Sequence, residues 1–175
     1  MQDKQEYSSK DTSLNVVNKV YTQYNFKPKS IILDYGGGKY DTNVEYMEKL
    51  NGSKVYVYDK YNRTEEHNEE VFKYLDKNKP DYVICSNVLN VIKEDSIIED
   101  ILKTISEKYP FALVLIKVYE KNKSGVHEVT SKGYQRNEKT EAYIPVISKY
   151  FDVKSIKNGI LECISLKGIK SASDS

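Results

Sequence analysis

The sequence of 175 residues predicts an α/β fold in which a doubly wound, mostly parallel sheet carries helices on both faces. Short apolar runs typical of buried strands alternate with segments whose apolar residues recur at helical spacing, the pattern of repeated strand–helix units. The chain closes with two strand-like runs around Asn158 and Gly159, a dipeptide favoured in type I′ hairpin turns. Strands joined by so short a turn run antiparallel, so the sheet is expected to end in an antiparallel β-hairpin.

The first half of the chain provides three helices and two strands. Capping residues followed by apolar residues at helical spacing predict a helix over 11–26, and the apolar run at 30–35 predicts a buried strand. A helix over 41–51, which an Asn-Gly pair terminates, leads to a second strand over 54–59. A polar helix with a narrow apolar face is predicted over 65–78.

The second half continues the alternation up to the closing hairpin. The run at 81–89 predicts a third strand, and a strong stripe of Ile and Leu predicts an amphipathic helix over 95–109. An almost wholly apolar run at 111–119 predicts a central strand. A polar loop over 120–137 and a helix over 138–150 precede the hairpin at 151–167.

The chain is predicted to form one domain over 11–167, between polar, flexible tails at 1–10 and 168–175. The 27 basic and 26 acidic residues leave a net charge of +1, which argues against a strong polyanion binder. Cys85 and Cys163 lie in apolar runs without metal-ligand spacing, so they are expected to be reduced, and no metal site is predicted. With neither a signal peptide nor a membrane-spanning run visible, the protein is expected to be cytoplasmic, without a membrane partner.

Three consecutive glycines follow the first predicted strand, in the sequence IILDYGGGKYD at 31–41. Ligands bind such sheets beyond the carboxyl ends of the strands, where the strand order reverses. A dinucleotide site requires G-x-G-x-x-G, but Asp41 stands at the third glycine position and would repel a diphosphate. This disfavours a nicotinamide-dependent oxidoreductase, and the P-loop signature is also absent. The loop therefore indicates a ligand without phosphates that carries an amino acid group, although a purely structural turn is the alternative.

Three segments of the sequence resemble motifs of class I S-adenosylmethionine-dependent methyltransferases. ILDYGGGKYD matches the hydrophobic-D-x-G-x-G motif, VYVYDKYN matches the acid that closes the second strand, and DYVICSNVLNVI matches the fourth motif. The likeness covers about residues 30–167 and includes the closing hairpin, and it is nearest to small stand-alone bacterial and phage members. It implies a Rossmann-like fold and S-adenosylmethionine as the cofactor.

The resemblance also implies cofactor contacts at three strand ends. The methionine end would lie at Asp34 and the glycines, the ribose hydroxyls at Asp59 and the adenine near Lys60 and Tyr61. The complete predicted set is Asp34, Tyr35, Gly36, Gly37, Gly38, Asp59, Lys60, Tyr61, Ser86, Asn87 and Val88. Asn90 falls where many relatives have a polar residue directed toward the acceptor.

The chain departs from the family pattern between Asp59 and Asp81. These 22 residues (81 − 59) are too few for a helix, a strand and a second helix, so one strand from the central region of the chain is predicted to be missing. The usual contact to the adenine amino group would be lost with it. A methyltransferase fold retained as a weakly active or inactive binding protein is therefore the alternative function.

The polar segment 117–139 is the remaining functional candidate. It carries six basic and three acidic residues, a net of +3, and a stretch of this length without regular structure is typical of a lid or binding loop. Tyr134, Gln135 and Arg136 combine an aromatic ring, an amide and a cation, the groups that recognise bases. We expect them to bind the acceptor, either a small molecule or a nucleic acid. The sequence identifies no catalytic residue.

Overall fold

The computed structural model describes residues 9–11 and 13–173, so most of the predicted N-terminal tail lies outside the described residues. The helices are α1 (Lys19–Gln23), α2 (Thr42–Asn51), α3 (Glu65–Lys77), α4 (Asp95–Lys108), α5 (Ile144–Ile147) and α6 (Leu166–Ser173). The strands are β1 (Ile31–Tyr35), β2 (Lys54–Tyr58), β3 (Tyr82–Ser86), β4 (Leu113–Lys117), β5 (Glu128–Thr130), β6 (Gly133–Gln135), β7 (Phe151–Lys157) and β8 (Ile160–Ser165). Short 3₁₀ turns cover Leu89–Val91 and Thr140–Tyr143.

Six strands form the main sheet in the order β2-β1-β3-β4-β8-β7. The pairs β2–β1, β1–β3 and β3–β4 are parallel, whereas β8 is antiparallel to both of its neighbours. The predicted α/β fold with its closing antiparallel hairpin is therefore confirmed. The strand order reverses between β1 and β3, which places the loop after β1 where ligands bind such sheets.

Helices cover both faces of the sheet over two separate apolar cores. One core joins α3, α4 and α5 to the sheet, and its members include Leu75, Leu102 and Ile147. The other joins α1 and α2 to the opposite face through Val20, Tyr21 and Met47.

The closing hairpin turns as the sequence predicts. Asn158 and Gly159 both adopt positive φ angles, 55° and 72°, as a type I′ turn requires. Asparagine and glycine tolerate this left-handed region better than other residues, so the dipeptide fixes the turn and the register of β7 on β8.

Short elements differ from the predictions. The helix predicted over 11–26 is confined to α1, because Asn18 caps it by accepting a hydrogen bond from the backbone N–H of Val20. The segment predicted as a loop contains the β5–β6 hairpin, and the helix predicted over 138–150 is reduced to a 3₁₀ turn and α5. The predicted C-terminal tail begins instead inside α6, where Gly168 is buried against Pro110.

In the described residues no strand lies beyond β2, in agreement with the strand predicted to be missing. Two side chains of α3 cover this edge. His67 Nε2 lies 2.7 Å from the backbone oxygen of Val57, and Asn68 hydrogen-bonds both the N–H and the C=O of Asp59. Side chains thus hydrogen-bond some of the backbone N–H and C=O groups that a further strand would otherwise pair with.

Both cysteines are buried in the sheet and unpaired. Burial is the main cause that raises the pKa of Cys85 and of Cys163 to about 12. No helix among the described residues has the length and apolarity needed to cross a membrane.

Candidate functional site

A cavity of about 800 Å³ opens at the carboxyl ends of the parallel strands. Its walls are the glycine loop, the segments after β2, β3 and β4, one side of α4 and the N-terminal segment up to α1. The structure brings all of the predicted cofactor residues to this cavity: Asp34, Tyr35, Gly36, Gly37, Gly38, Asp59, Lys60, Tyr61, Ser86, Asn87 and Val88. The volume lies within the range of small-molecule sites.

The glycine loop is tightly packed against the protein itself. A Cβ on Gly37 would lie 2.7 Å from Asp34 Cγ, and one on Gly38 would lie 2.7 Å from Ser13 Oγ. Gly36 and Gly38 also have φ angles of 85° and 83°, where other residues are strained. The glycines are therefore required for the turn and for close packing, whatever ligand the cavity accepts.

The backbone N–H groups of this loop are already occupied. Gly36 and Gly37 donate to the carbonyl of Tyr58, Gly38 donates to Asp59 Oδ2, and Lys39 donates to Ser13 Oγ. A diphosphate site needs such N–H groups to point at the ligand. This arrangement argues against a dinucleotide, in agreement with the sequence.

Asp34 is a buried acid at the end of β1, only 4% exposed. Its Oδ2 accepts a 2.6 Å hydrogen bond from the hydroxyl of Tyr21. Burial raises the pKa of Asp34 to about 6; the bond from Tyr21 opposes this rise, and the nearby carboxylate of Asp59 adds to it. A cationic ligand group beside Asp34 would relieve this cost.

Asp59 organises the turn between β2 and α3. Its Oδ1 accepts from the N–H groups of Tyr61 and Asn62 and from the Asn62 side chain, while Oδ2 accepts from the N–H of Gly38. A carboxylate oxygen offers about two acceptor sites, so only Oδ2 retains capacity. The predicted contact of this carboxylate with both ribose hydroxyls therefore has room for one of them in this arrangement.

Arg63 holds the glycine loop from the outside, a role that the sequence analysis missed. Its guanidinium donates to the carbonyls of Gly38 and Tyr40 at 2.8 and 2.9 Å and pairs with Asp41 at 2.8 Å. The fork of an arginine can satisfy several acceptors at once, which explains this residue type. Its position four residues after the acid that closes β2 was the available signal.

Helix α1 and its capping residue Asn18 contact two neighbouring strand ends on one face of the sheet. Tyr21 donates to Asp34 at the end of β1, and the side chain of Asn18 accepts from Ser86 Oγ at the end of β3. Lys19 lies close enough to Lys117, at the end of β4, to lower the pKa of that lysine. Asp34 pairs with Ile84 and Ser86 pairs with Lys117, and alternate residues of a strand share a face, so Asp34, Ser86 and Lys117 all lie on the face that α1 covers.

Asn87 leaves β3 with a φ angle of 58°. Asparagine tolerates this left-handed conformation, so the backbone alone explains part of the choice of residue. Its N–H donates to the carbonyl of Lys117, which fixes the exit of β3 beside the end of β4.

The residues predicted to bind the acceptor do not line this cavity. Tyr134, Gln135 and Arg136 lie in or beside β6 and are at most 8% exposed, and Asn90 is 1% exposed. Asn90 Nδ2 donates to Gln135 Oε1, and Arg136 donates to the carbonyls of Ile92 and Lys93 and to Asp95. These side chains fasten the β5–β6 hairpin to the segment after β3, so the groups predicted to recognise a base are engaged within the protein.

The hairpin also contains a short polar chain. The ring nitrogens of His127 lie 2.6 Å from the hydroxyl of Tyr134 and 2.6 Å from Glu138 Oε1.

Ser9 anchors the N-terminal segment to the protein. Its Oγ donates to the carbonyl of Tyr134 and accepts from the N–H of Tyr134, and its own N–H donates to the carbonyl of Val91. The predicted flexible tail over 1–10 is thus anchored at Ser9.

No protein-family model and no curated protein sequence matches the chain. Among solved structures it is similar to the mitomycin 7-O-methyltransferase MmcR, with a TM-score of 0.56 and 15% identity over 84% of this chain and 52% of MmcR. It is also similar to LaPhzM, with a TM-score of 0.54 and 13% identity over 85% of this chain and 55% of LaPhzM. The chain spans about half the length of these structures. At this identity the likeness concerns the fold alone, and the chain has a Rossmann-like fold that it shares with methyltransferase structures.

Proposed function

We propose that the protein is an S-adenosylmethionine-dependent methyltransferase. The observation that carries this proposal is the pair of buried carboxylates, Asp34 and Asp59, at the wall of a cavity of about 800 Å³ where the strand order reverses. The similarity of the fold to methyltransferase structures supports it.

The chemistry of the cavity fits this cofactor. S-adenosylmethionine carries a sulfonium and an ammonium group, and among the described residues the Asp34 carboxylate accepts a hydrogen bond only from the Tyr21 hydroxyl. Asp34 would hold the cationic end, Asp59 Oδ2 would accept one ribose hydroxyl, and Lys60 and Tyr61 would lie near the base. The occupied N–H groups of the glycine loop cause no conflict, because the cofactor has no phosphate.

The cofactor, when bound, supplies an activated methyl group. The protein then has to align the acceptor and exclude water, which is how positioning accelerates such a transfer. Val88, Val91 and Ile92 give the cavity an apolar wall that serves this purpose. We assign no general base.

Calorimetric titration of the purified protein tests the proposal. S-adenosylmethionine and its demethylated product should bind, and NAD should not. Asp34→Asn should weaken binding of the demethylated product by about tenfold or more, because a bond to a charged group contributes about 1.5–3 kcal/mol. Asp76→Asn, at an exposed acid of α3 outside the cavity, is the matched control and should bind as the wild type does. Failure of both adenosyl ligands to bind the folded protein would overturn the proposal.

The second candidate is a protein that retains the fold for binding or regulation. The engaged oxygens of Asp59 and the absence of a strand beyond β2 in the described residues favour it. It predicts no measurable affinity for either adenosyl ligand in the same titration, with thermal unfolding of the protein still cooperative.

A further inference from the structure

The cavity lining contains both carboxylates and lysines. Asp34 and Asp59 lie by the glycine loop, whereas Lys117 lies at the end of β4, and Lys19 of α1 also lines the cavity. Lys117 is half-buried, and its Nζ donates to the carbonyl of Asn158 at 2.8 Å. An ammonium group has three donors, so this bond leaves two.

Both lysines line the cavity without a carboxylate in contact. Among the described residues, neither Lys19 nor Lys117 forms an ion pair with a carboxylate within 4.0 Å. Burial and the charge of Lys19 lower the pKa of Lys117, and Glu120 opposes them only in part. Two cations in the lining of one cavity favour an anionic ligand over a neutral one.

The charged residues of the segment after β4 are engaged with other protein groups. Lys121 pairs with Glu128 at 2.5 Å, and Lys123 lies 4.0 Å from Glu120. The second oxygen of Glu120 accepts from the N–H and the hydroxyl of Thr140. Lys19 and Lys117 are therefore the cations most available to a ligand at this wall.

We propose that Lys19 and Lys117 bind the anionic group, a carboxylate or a phosphate, of a small acceptor molecule. This inference rests on the proposed function, because Asp34 and Asp59 of the same cavity are assigned to the cofactor. The size of the cavity and the net charge of +1 favour a small anion over a nucleic acid.

Titration with model anions tests the inference. Benzoate and phenyl phosphate are titrated with and without saturating S-adenosylhomocysteine, and the neutral benzamide is the matched control ligand. At least one anion should bind more tightly than benzamide. Whether benzoate or phenyl phosphate binds more tightly distinguishes a carboxylate site from a phosphate site. Lys117→Met and Lys19→Met should each weaken binding of that anion about tenfold and leave the affinity for S-adenosylhomocysteine unchanged.

Two variants guard against a loss of folding. Lys19 is exposed, so Lys19→Met tests the pair without disturbing the sheet, and Lys103→Met on the exposed side of α4 should behave as the wild type. Anions that bind no better than benzamide would overturn the inference. Variants that weaken S-adenosylhomocysteine instead of the anion would also overturn it, because the lysines would then serve the carboxylate of the cofactor. Anion binding without any adenosyl binding would overturn only the proposed function.

Discussion

Asp34 shows how one residue joins stability to function. A carboxyl group in this position is costly, because it is buried and has Asp59 nearby, and Tyr21 compensates with a single bond. Leucine or valine would pack at the end of β1 without this cost. Under the proposed function, the cationic end of the cofactor supplies the opposite charge that Asp34 lacks.

The raised pKa of Asp34 predicts a pH-dependent stability. Between its ordinary value of 3.8 and about 6, the folded protein holds a proton that the unfolded chain has released, so stability falls as the pH rises through this interval. At 1.36 kcal/mol per pH unit, the contribution lost is about 3 kcal/mol. Asparagine does not ionise, so the stability of Asp34→Asn should not fall over this interval. Its free energy of unfolding should therefore rise by about 3 kcal/mol relative to that of the wild type between about pH 4 and about pH 7.

Urea unfolding at several pH values measures this difference. Asp76→Asn, an exposed acid on α3, provides the control and should follow the wild type. A difference between Asp34→Asn and the wild type that does not change with pH would show that Asp34 ionises as an ordinary surface acid does.

The sequence predicted the positions of the two acids of the cavity but not the residues that contact them and the glycine loop. Asp34 and Asp59 follow strand-like runs, and the ends of parallel strands meet at one edge, so their approach was predictable. Tyr21 and Arg63 were missed because their contacts depend on how α1 and the loop after β2 pack. Tyr134 and Arg136 were predicted at the site from composition, which does not distinguish a side chain that binds a ligand from one that binds its own protein.

At the scale of elements, helix α6 is positioned by the close packing of Gly168 against Pro110. A Cβ on Gly168 would lie 1.9 Å from the backbone oxygen of Pro110. Glycine to alanine inside a helix usually stabilises it by up to about 1 kcal/mol. Gly168→Ala should instead destabilise the protein by about 1–3 kcal/mol, the usual cost of overpacking.

Thermal and urea unfolding of Gly168→Ala and of Lys167→Ala check this expectation. Lys167 is exposed on the same helix, so its replacement should leave stability within about 0.5 kcal/mol of the wild type. A stabilised Gly168→Ala would mean that α6 does not pack against Pro110 in solution.

The longer helices and the strands of the main sheet were predictable, whereas the short elements outside this sheet were not. The predictions over 65–78 and 95–109 match α3 and α4 within one residue, because both helices carry apolar residues at helical spacing. Helix α1 and strands β5 and β6 are short and lack the apolar runs of the central strands, so they depend on tertiary contacts rather than on local propensity. The extent of α6 was not predictable either, because this helix depends on a tertiary contact with the backbone of Pro110.

At the scale of the whole molecule, the sheet ends at β2, and α3 protects this edge. An open strand edge invites pairing with another chain. His67→Ala removes the side chain that contacts the carbonyl of Val57, so it should lower stability by about 1 kcal/mol and increase self-association.

Sedimentation velocity at increasing protein concentration, together with urea unfolding, measures both effects. His67→Gln retains a side-chain N–H donor and should behave more like the wild type. If His67→Ala sediments and unfolds as the wild type does, the histidine has no part in protecting the edge.

The burial of both thiols has a practical consequence. With a pKa of about 12, neither Cys85 nor Cys163 has an appreciable thiolate population at neutral pH, and neither is accessible to a labelling reagent. A cysteine introduced at Leu14, an exposed position on the wall of the cavity, would then be the one reactive sulfur of the molecule. A fluorophore attached there would report the arrival of a ligand without removal of any native residue from the sheet.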